Sequence, residues 1–338
     1  MGHEVGNKLI RWGQRRRDVP PSGTLLPTMS RLATTLCGVS LRNPLIAAAG
    51  TAGYGPEIAE VIAASRFGAI TTKSITRESR VGNTPWRVTD LPGGMLNAIG
   101  LANVGLDRFL RKTLPELEDL DTVMIGSIAG HTIEDYVEVA TAFGDPVAAV
   151  LKLVELNVSC PNTASGQQFG DDPRLLADVV SACRAALGSK PMLVKLSPGA
   201  ANLPELALAA VRAGADGLTI SNTVPAMAID PETRRSKIGR ASGGLSGPAI
   251  HPVAVKILHE IHARLGEAQC QVPLVGLGGV LSWADAAEFT LVGATGIGLG
   301  TALFIDPRAP RKIERGLDAW VRRQGATNIA ELIGAFEA

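Results

Sequence analysis

From Leu41 onward, short apolar runs alternate with longer segments in which apolar residues recur at helical spacing. Apolar runs bounded by turn residues predict buried strands, and the longer periodic segments predict amphipathic helices. The predicted strands are 44–50, 68–74, 122–129, 148–157, 191–197, 217–222, 272–278 and 295–300. The predicted helices are 56–65, 107–114, 133–143, 173–187, 203–213, 252–265, 282–292 and 307–324.

Eight strand–helix alternations in succession, without an interrupting linker, predict an α/β protein with a parallel sheet. We expect the sheet to close into a (β/α)8 TIM barrel rather than remain open. Two connections that follow strands, 75–106 and 223–250, are too long to be simple turns. Long connections in a compact domain are usually functional or disordered, and these two would lie over the C-terminal face of the barrel.

Composition and charge exclude several classes of protein. The chain has 338 residues, of which 46% are hydrophobic and 19% charged, and its formal net charge is +1. Near-neutrality gives no support for nucleic-acid binding, and no run of about 18 apolar residues predicts a membrane span. The four cysteines form no C-x-x-C pair, so we expect no structural zinc, no disulfides and a cytoplasmic location.

Residues 1–30 stand outside the alternating pattern. Lys8, Arg11 and the run Arg15–Arg17 surround a few apolar residues before a Pro-Pro-Ser-Gly break. We expect a basic, flexible leader here, followed by one barrel domain over 31–338. An interfacial membrane anchor is the alternative interpretation of the leader.

Polar residues recur where the predicted strands end. Lys73 and Lys195 lie at the ends of otherwise apolar strands, where they would either form ion pairs or face an anion-accepting pocket. Four asparagines near the same face offer paired donors and acceptors without net charge, which suits a planar, amide-rich ligand such as a pyrimidine. Each of them alone could be a turn or cap residue. They are Asn97, Asn157, Asn162 and Asn222.

Glycines follow the last two predicted strands, in Gly276-Leu-Gly-Gly279 and Gly296-Ile-Gly-Leu-Gly-Thr301. Loops at these two positions of a barrel often bind phosphate through backbone N–H groups. The second string is not a dinucleotide fingerprint, because its third glycine comes one place too early and it lacks the β-α-β context. A mononucleotide phosphate is the better interpretation.

Cys160 lies in the polar string that ends the fourth predicted strand, Glu155-Leu-Asn-Val-Ser-Cys-Pro-Asn162. A nucleophilic cysteine would need a partner histidine, and of the five histidines only His131 comes near a suitable position. A thiol whose pKa is about 8.5 is partly ionised near neutral pH and can act as a general base without a partner. We therefore interpret Cys160 as a base.

Several strings together resemble one known family. They are ELNVSCPNTASGQQFGDDP, LVKLSP, AGADGLTISNT, ASGGLSGPAIHPVAV and GLGGVLSWADAAEFTLVGATGIGLGTALFIDP. In order and position, from about Leu41 to Pro307, they look like the soluble class 1 of dihydroorotate dehydrogenase. The resemblance implies an FMN-containing (β/α)8 barrel that oxidises dihydroorotate to orotate in pyrimidine synthesis.

The resemblance also implies roles for individual residues. Cys160 would remove the C5 proton of the substrate while hydride passes from C6 to N5 of FMN. The substrate-binding residues would be Lys73, Asn97, Ile99, Gly100, Leu101, Asn157, Asn162, Asn222 and Thr223. The cofactor-binding residues would be Ala49, Gly50, Lys73, Ser74, Asn157, Lys195, Ile220, Gly247, Gly278, Gly279, Gly300 and Thr301.

The resemblance extends to partners. Membrane-associated, quinone-using relatives have serine where this chain has Cys160, so it resembles the soluble enzymes. The strings FGDDP and GGLSGPAI look like the 1B type, which passes electrons to NAD through a separate FAD and iron–sulfur subunit. We also expect a homodimer. Fumarate remains an alternative electron acceptor.

Two other functions remain open. An FMN barrel could act on another reduced pyrimidine, as in dihydropyrimidine dehydrogenase, although that family has histidine where this chain has Asn162. A barrel that binds flavin without catalysis is the other alternative, and it predicts loss of the base that Cys160 supplies.

Overall fold

The computed structural model describes residues 30–159 and 169–337. Their strands, in chain order, are β1 (Thr34–Leu36), β2 (Val39–Leu41), β3 (Leu45–Ala47), β4 (Ala69–Thr71), β5 (Val88–Leu91), β6 (Gly94–Asn97), β7 (Val123–Ile128), β8 (Leu151–Asn157), β9 (Met192–Leu196), β10 (Gly217–Ile220), β11 (Val224–Ala226), β12 (Ile229–Asp230), β13 (Arg235–Ser236), β14 (Gly243–Ser246), β15 (Leu274–Leu277) and β16 (Ala294–Leu299). The α-helices are α1 (Pro56–Ala59), α2 (Leu106–Arg108), α3 (Leu114–Glu116), α4 (Ile133–Gly144), α5 (Pro173–Leu187), α6 (Leu203–Arg212), α7 (His251–Glu267), α8 (Trp283–Leu291), α9 (Ala302–Ile305) and α10 (Ala309–Arg323).

Eight of these strands form a closed parallel barrel, in the order β10-β15-β16-β3-β4-β7-β8-β9. They are the eight strands that the apolar runs predict, so the predicted (β/α)8 fold is confirmed. Seven of the eight observed strands are shorter than the predicted runs, because the ends of those runs leave the ladder and turn into loops; the last strand has the predicted length but begins one residue earlier. Within the described residues, no helix combines the length and apolarity that a membrane crossing needs.

The strands alternate between two apolar environments. Residues such as Val154, Leu156 and Val194 face outward and pack in the large core beneath the helices. Their neighbours Leu153 and Leu193 face inward and form a smaller interior cluster with the β1–β2 hairpin. This alternation defines which side chains point into the barrel.

Helix boundaries follow local chemistry where the caps are strong. The Asp172 side chain accepts hydrogen bonds from the N–H groups of Arg174 and Leu175, and helix α5 begins at Pro173 as predicted. The prediction of a helix over 56–65 is wrong. Helix α1 stops after four residues, and the β-branched pair Val61–Ile62 leads into irregular chain instead. The last long helix begins at Ala309 rather than Pro307, and the short helix α9 precedes it.

The two long connections carry structure that the sequence pattern does not predict. Strands β5 and β6 come from the first connection and β11 and β14 from the second, and they pair as an antiparallel sheet in the order β11-β14-β6-β5. These strands are short and rich in glycine and polar residues, so they lack the alternation that identifies a strand in isolation. The sheet lies beside the C-terminal ends of the barrel strands.

Candidate active site

A cavity of about 500 Å³ opens between the barrel strand ends and the antiparallel sheet. This volume lies in the usual range for small-molecule sites. Sixteen of the predicted site residues line it: Ala49, Gly50, Lys73, Ser74, Asn97, Ile99, Leu101, Asn157, Lys195, Asn222, Thr223, Gly247, Gly278, Gly279, Gly300 and Thr301. Tertiary structure therefore brings residues from seven barrel strand ends and both long connections to one cavity.

Two of the described site residues, Gly100 and Ile220, do not line the cavity, and two further predicted residues are not described. Cys160 and Asn162 lie outside the described residues. Gly100 has a φ of +75° and is set back against Asn83, while its neighbours Ile99 and Leu101 reach the cavity. Ile220 is buried in the outer core, because its side chain points away from the barrel interior.

Amide groups are held in fixed orientations at the end of β8. The Asn222 side-chain NH₂ donates to the Ser159 hydroxyl at 2.8 Å and to the Asn157 side-chain carbonyl at 3.3 Å. The Tyr136 hydroxyl donates to the Asn157 backbone carbonyl at 2.7 Å. These bonds fix the backbone immediately before Cys160. They leave the Asn157 side-chain NH₂ as a donor and one acceptor position on the Asn222 side-chain carbonyl for a ligand.

Asn97 is positioned by the antiparallel sheet rather than by the barrel. It lies at the end of β6, directly opposite Gly244 of β14, and its side-chain NH₂ donates to the Gly244 carbonyl at 3.1 Å. Asn222 also accepts from the Thr223 backbone N–H at 2.9 Å. The second connection, through Gly244, therefore orients the Asn97 amide that the first connection brings to the cavity.

The two lysines reach the cavity from β4 and β9 and form no ion pair with any described carboxylate. Lys195 is only 6% exposed, whereas Lys73 is half-buried. Burial lowers the pKa of Lys73 below its usual value of 10.5, and the nearby Arg87 charge lowers it further. The strand-end ion pairs considered as an alternative are thus not formed, and both ammonium groups are available to an anionic ligand.

The glycine loop after β15 leaves no room for side chains, whereas a Cβ at Gly300, after β16, would meet no atom closer than 3.8 Å. A Cβ at Gly279, where φ is +69°, would come within 2.7 Å of the Gly247 carbonyl oxygen. A Cβ at Gly278 would meet Ala254 at 2.7 Å, and the His251 ring donates through Nδ1 to the Gly278 carbonyl at 2.8 Å. The resulting backbone surface is of the kind that binds phosphate.

Several cavity residues were not predicted from the sequence. Met95 and Ser246 come from the antiparallel sheet, and the Thr301 hydroxyl donates to the Ser246 hydroxyl at 2.7 Å. Ser246 lies in the string GGLSGP, whose position in a long connection was the available signal. The others are Ala48, Thr51, Val88, Ala102, Ser221, Ile250, Leu277, Val280, Leu281, Ala302 and Phe304. Most of these are apolar or small and give no chemical signal in a sequence.

The barrel, its glycine loops and the amide-lined cavity define an α/β-barrel protein with a ligand site at its strand ends. The family model for dihydroorotate dehydrogenase matches residues 31–321. The chain therefore belongs to the dihydroorotate dehydrogenase family, whose members are flavin-containing oxidoreductases. The family resemblance inferred from the sequence strings is confirmed.

Similar proteins cover nearly the whole chain. A Trichlorobacter lovleyi protein, named dihydroorotate dehydrogenase B (NAD(+)), catalytic subunit, is 42% identical over 90% of this chain and 98% of its own. A Solibacter usitatus protein, provisionally named dihydroorotate dehydrogenase A (fumarate), is 42% identical over 91% and 99%. An Eimeria tenella dihydroorotate dehydrogenase structure superposes with a TM-score of 0.74 over 92% of this chain and 90% of its own, at 20% identity. At that identity the last comparison shows the fold alone.

Proposed function

We propose that this protein oxidises (S)-dihydroorotate to orotate in de novo pyrimidine biosynthesis. The observation that carries the proposal is the oriented amide group of Asn157 and Asn222 at the strand end that leads into Cys160, beside two lysines that form no ion pair with a described carboxylate. Dihydroorotate presents a carboxylate and two ring amides, and these match the charges and donors of the cavity. Family membership supports the same substrate.

The residues present fit FMN as the cofactor. The loops at Gly247, Gly278–Gly279 and Gly300–Thr301 would hold its phosphate, since a Cβ at most of these positions would fill the space. Ala49, Gly50 and Ser74 would line the flavin ring, with Lys195 beside it. FMN, when bound, supplies the acceptor for the hydride that leaves C6 of the substrate.

The chain's own residues hold the substrate and move a proton. Lys73 would pair with the substrate carboxylate, and Asn97, Asn157, Asn162 and Asn222 would hold the ring amides, with Thr223 beside them. Cys160, as thiolate, would accept the proton from C5 as hydride leaves C6. The Asn222–Ser159 hydrogen bond supports this role, because it fixes the residue that precedes the base.

For the electron acceptor we propose NAD, reached through an FAD and iron–sulfur partner subunit bound to a homodimer of this chain. The Trichlorobacter lovleyi relative is named as the catalytic subunit of an NAD-linked enzyme. Because a relative of the fumarate type is equally similar, identity does not choose between acceptors. We also propose a cytoplasmic location and a single domain over 31–338 after the basic leader.

The central test is flavin bleaching in stopped flow. Mixing flavin-loaded protein with dihydroorotate should bleach the flavin, and Cys160→Ala should slow bleaching by about 10²–10⁴-fold, the usual contribution of a positioned base. Cys270→Ala, a half-buried cysteine before β15 at the opposite end of the barrel, serves as the matched control and should leave the rate unchanged.

Three outcomes would contradict the proposal. An unchanged rate in Cys160→Ala would mean that another group is the base. Bleaching by dihydrouracil but not by dihydroorotate would favour the other reduced pyrimidine. No bleaching by either would favour a barrel that binds flavin without catalysis.

The acceptor needs its own assay. Turnover of the isolated chain with fumarate, quinone and NAD should be slow for all three if a partner subunit is required, and co-purification of an iron–sulfur flavoprotein should restore turnover with NAD. Fast turnover of the isolated chain with fumarate would overturn the NAD proposal.

A further inference from the structure

A buried carboxylate lies inside the barrel, below the cavity, and the proposed reaction does not use it. Glu155 is 4% exposed. Its Oε2 accepts a hydrogen bond from the Thr219 hydroxyl at 2.8 Å, whereas Oε1 has no hydrogen-bond partner among the described residues. Carboxylates are rarely buried without a counter-charge, because removing the charge from water is strongly unfavourable.

Strand registers place a lysine close to Glu155 on the neighbouring strand. Leu153 and Leu193 point into the barrel, so Glu155 and Lys195, two residues further along β8 and β9, point inward as well. Glu155 is paired with Leu193 on β9, and Thr219 of β10 is paired with Lys195. The Glu155–Thr219 hydrogen bond joins β8 and β10, which lie on either side of β9. It therefore crosses the inner face of β9 between Leu193 and Lys195.

Lys195, in turn, is a buried cation that lacks a direct counter-charge among the described residues. It is 6% exposed and makes no ion pair with any described carboxylate. Lys73, the other cation of the cavity, enters from β4, two strands away from β8 around the barrel. In a low-dielectric interior, opposite charges interact across several ångströms without direct contact. Glu155 is therefore placed to balance the charge of Lys195 from one layer below.

We propose that Glu155 is a positioning residue that acts through Lys195, and that these two buried charges set the electrostatic potential at the flavin site and hence the flavin's reduction potential. The inference rests on the proposed function, which places Lys195 by the flavin. A cation stabilises the anionic reduced flavin, and a carboxylate behind the cation weakens that effect. Neutralising Glu155 should therefore favour reduction.

The test is the reduction potential of flavin-loaded variants, measured by equilibration with a reference dye. Glu155→Gln keeps the shape and the acceptor for Thr219 but removes the charge, and it should move the potential to a more positive value. Lys195→Gln should move it to a more negative value. Thr219→Ser retains the hydroxyl donor and is the matched control, with no expected change.

An unchanged potential in Glu155→Gln would overturn the inference, since it would mean that the native carboxyl is neutral or too remote. A shift in the same direction as in Lys195→Gln would overturn it as well. These failures leave the proposed function standing, which fails separately if the wild-type chain binds no flavin or if dihydroorotate does not bleach it.

A double-mutant cycle covers the case in which a single variant does not fold. If each charge balances the other, the double variant with both glutamines should be more thermally stable than the less stable single variant. Additive losses of stability would mean that the two residues do not interact and would contradict the pairing.

Discussion

The two ends of the barrel are built from the same strands but have opposite chemistry. On β8, the inward side chain near the start is Leu153, and the one at the end is Asn157. The first end holds an apolar cluster covered by the β1–β2 hairpin, through Leu36 and Leu41. The other end is covered by the antiparallel sheet, which leaves a cavity of about 500 Å³.

This difference separates stability from function along each strand. At the apolar end, buried side chains of the barrel pack against one another and against the hairpin. The polar end carries lysines and amides around an open cavity, and its lysines make no direct ion pair with a described carboxylate, an arrangement that contributes little to folding. Between the two ends, Glu155 and Thr219 form a buried polar layer. Substitutions at the two ends should therefore have separable effects.

The largest expected effect lies at the apolar end. Leu153→Ala removes a fully buried side chain from the interior cluster and should lower the free energy of unfolding by about 2–5 kcal/mol. Denaturant unfolding measures this loss. The protein that remains folded should bleach its flavin at the wild-type rate, and Leu153→Met, which conserves volume, should cost less than about 1.5 kcal/mol. A loss of bleaching with unchanged stability would mean that the two ends are not separable.

A smaller effect, on catalysis rather than on stability, is expected from a substitution at the polar end. Asn222→Ala removes the NH₂ that donates to the Ser159 hydroxyl and to the Asn157 side-chain carbonyl, and it removes a predicted ligand of the substrate. We expect kcat/KM for dihydroorotate to fall about 10–100-fold, corresponding to the 1–3 kcal/mol of an unsatisfied partner. Asn202→Ala, at an exposed asparagine before α6, is the control. Equal effects of both substitutions on kcat/KM would argue against the amide site.

The smallest expected effect concerns pH. Burial, and then Arg87, lowers the pKa of Lys73, so its ammonium group loses its proton at a lower pH than a free lysine does. Orotate, an anion, should bind with constant affinity while Lys73 is charged and more weakly as pH rises towards 10.5. Flavin absorbance changes on titration with orotate measure this affinity without turnover. Arg87→Gln should move the loss of affinity to higher pH, and an unchanged profile would mean that Lys73 does not bind the anion.

Much of the fold could be predicted because its signals are local. The apolar runs at Leu151–Asn157 and Met192–Leu196 are strands by composition and length alone, and Asp172 caps α5 within its own turn. The antiparallel sheet gave no such signal. Strand β14, with the sequence GGLS, is a strand only because β6 and β11 pair with it from distant parts of the chain.

The candidate site was predictable in part for the same reason. Lysines and asparagines at the ends of apolar strands are conspicuous in a sequence, so most predicted site residues line the cavity. Met95 and Ser246 were missed because their role depends on which loops lie over the barrel. Ile220 was assigned to the cavity, although the alternation along β10 turns its side chain outward. Cys160 and Asn162, which lie outside the described residues, remain predictions.

The sequence by itself determined the eight alternations, the polar strand ends, the glycine loops and the family, because each depends on residue type and spacing along the chain. Only the tertiary structure decided which amides converge, since Asn97, Asn157 and Asn222 come from three distant segments that closure of the barrel brings together. The tertiary structure also decided that Glu155 lies deeper in the barrel than Lys195, on the neighbouring strand. That relation comes from the stagger of neighbouring strands, which pairs residues by register rather than by their distance along the chain.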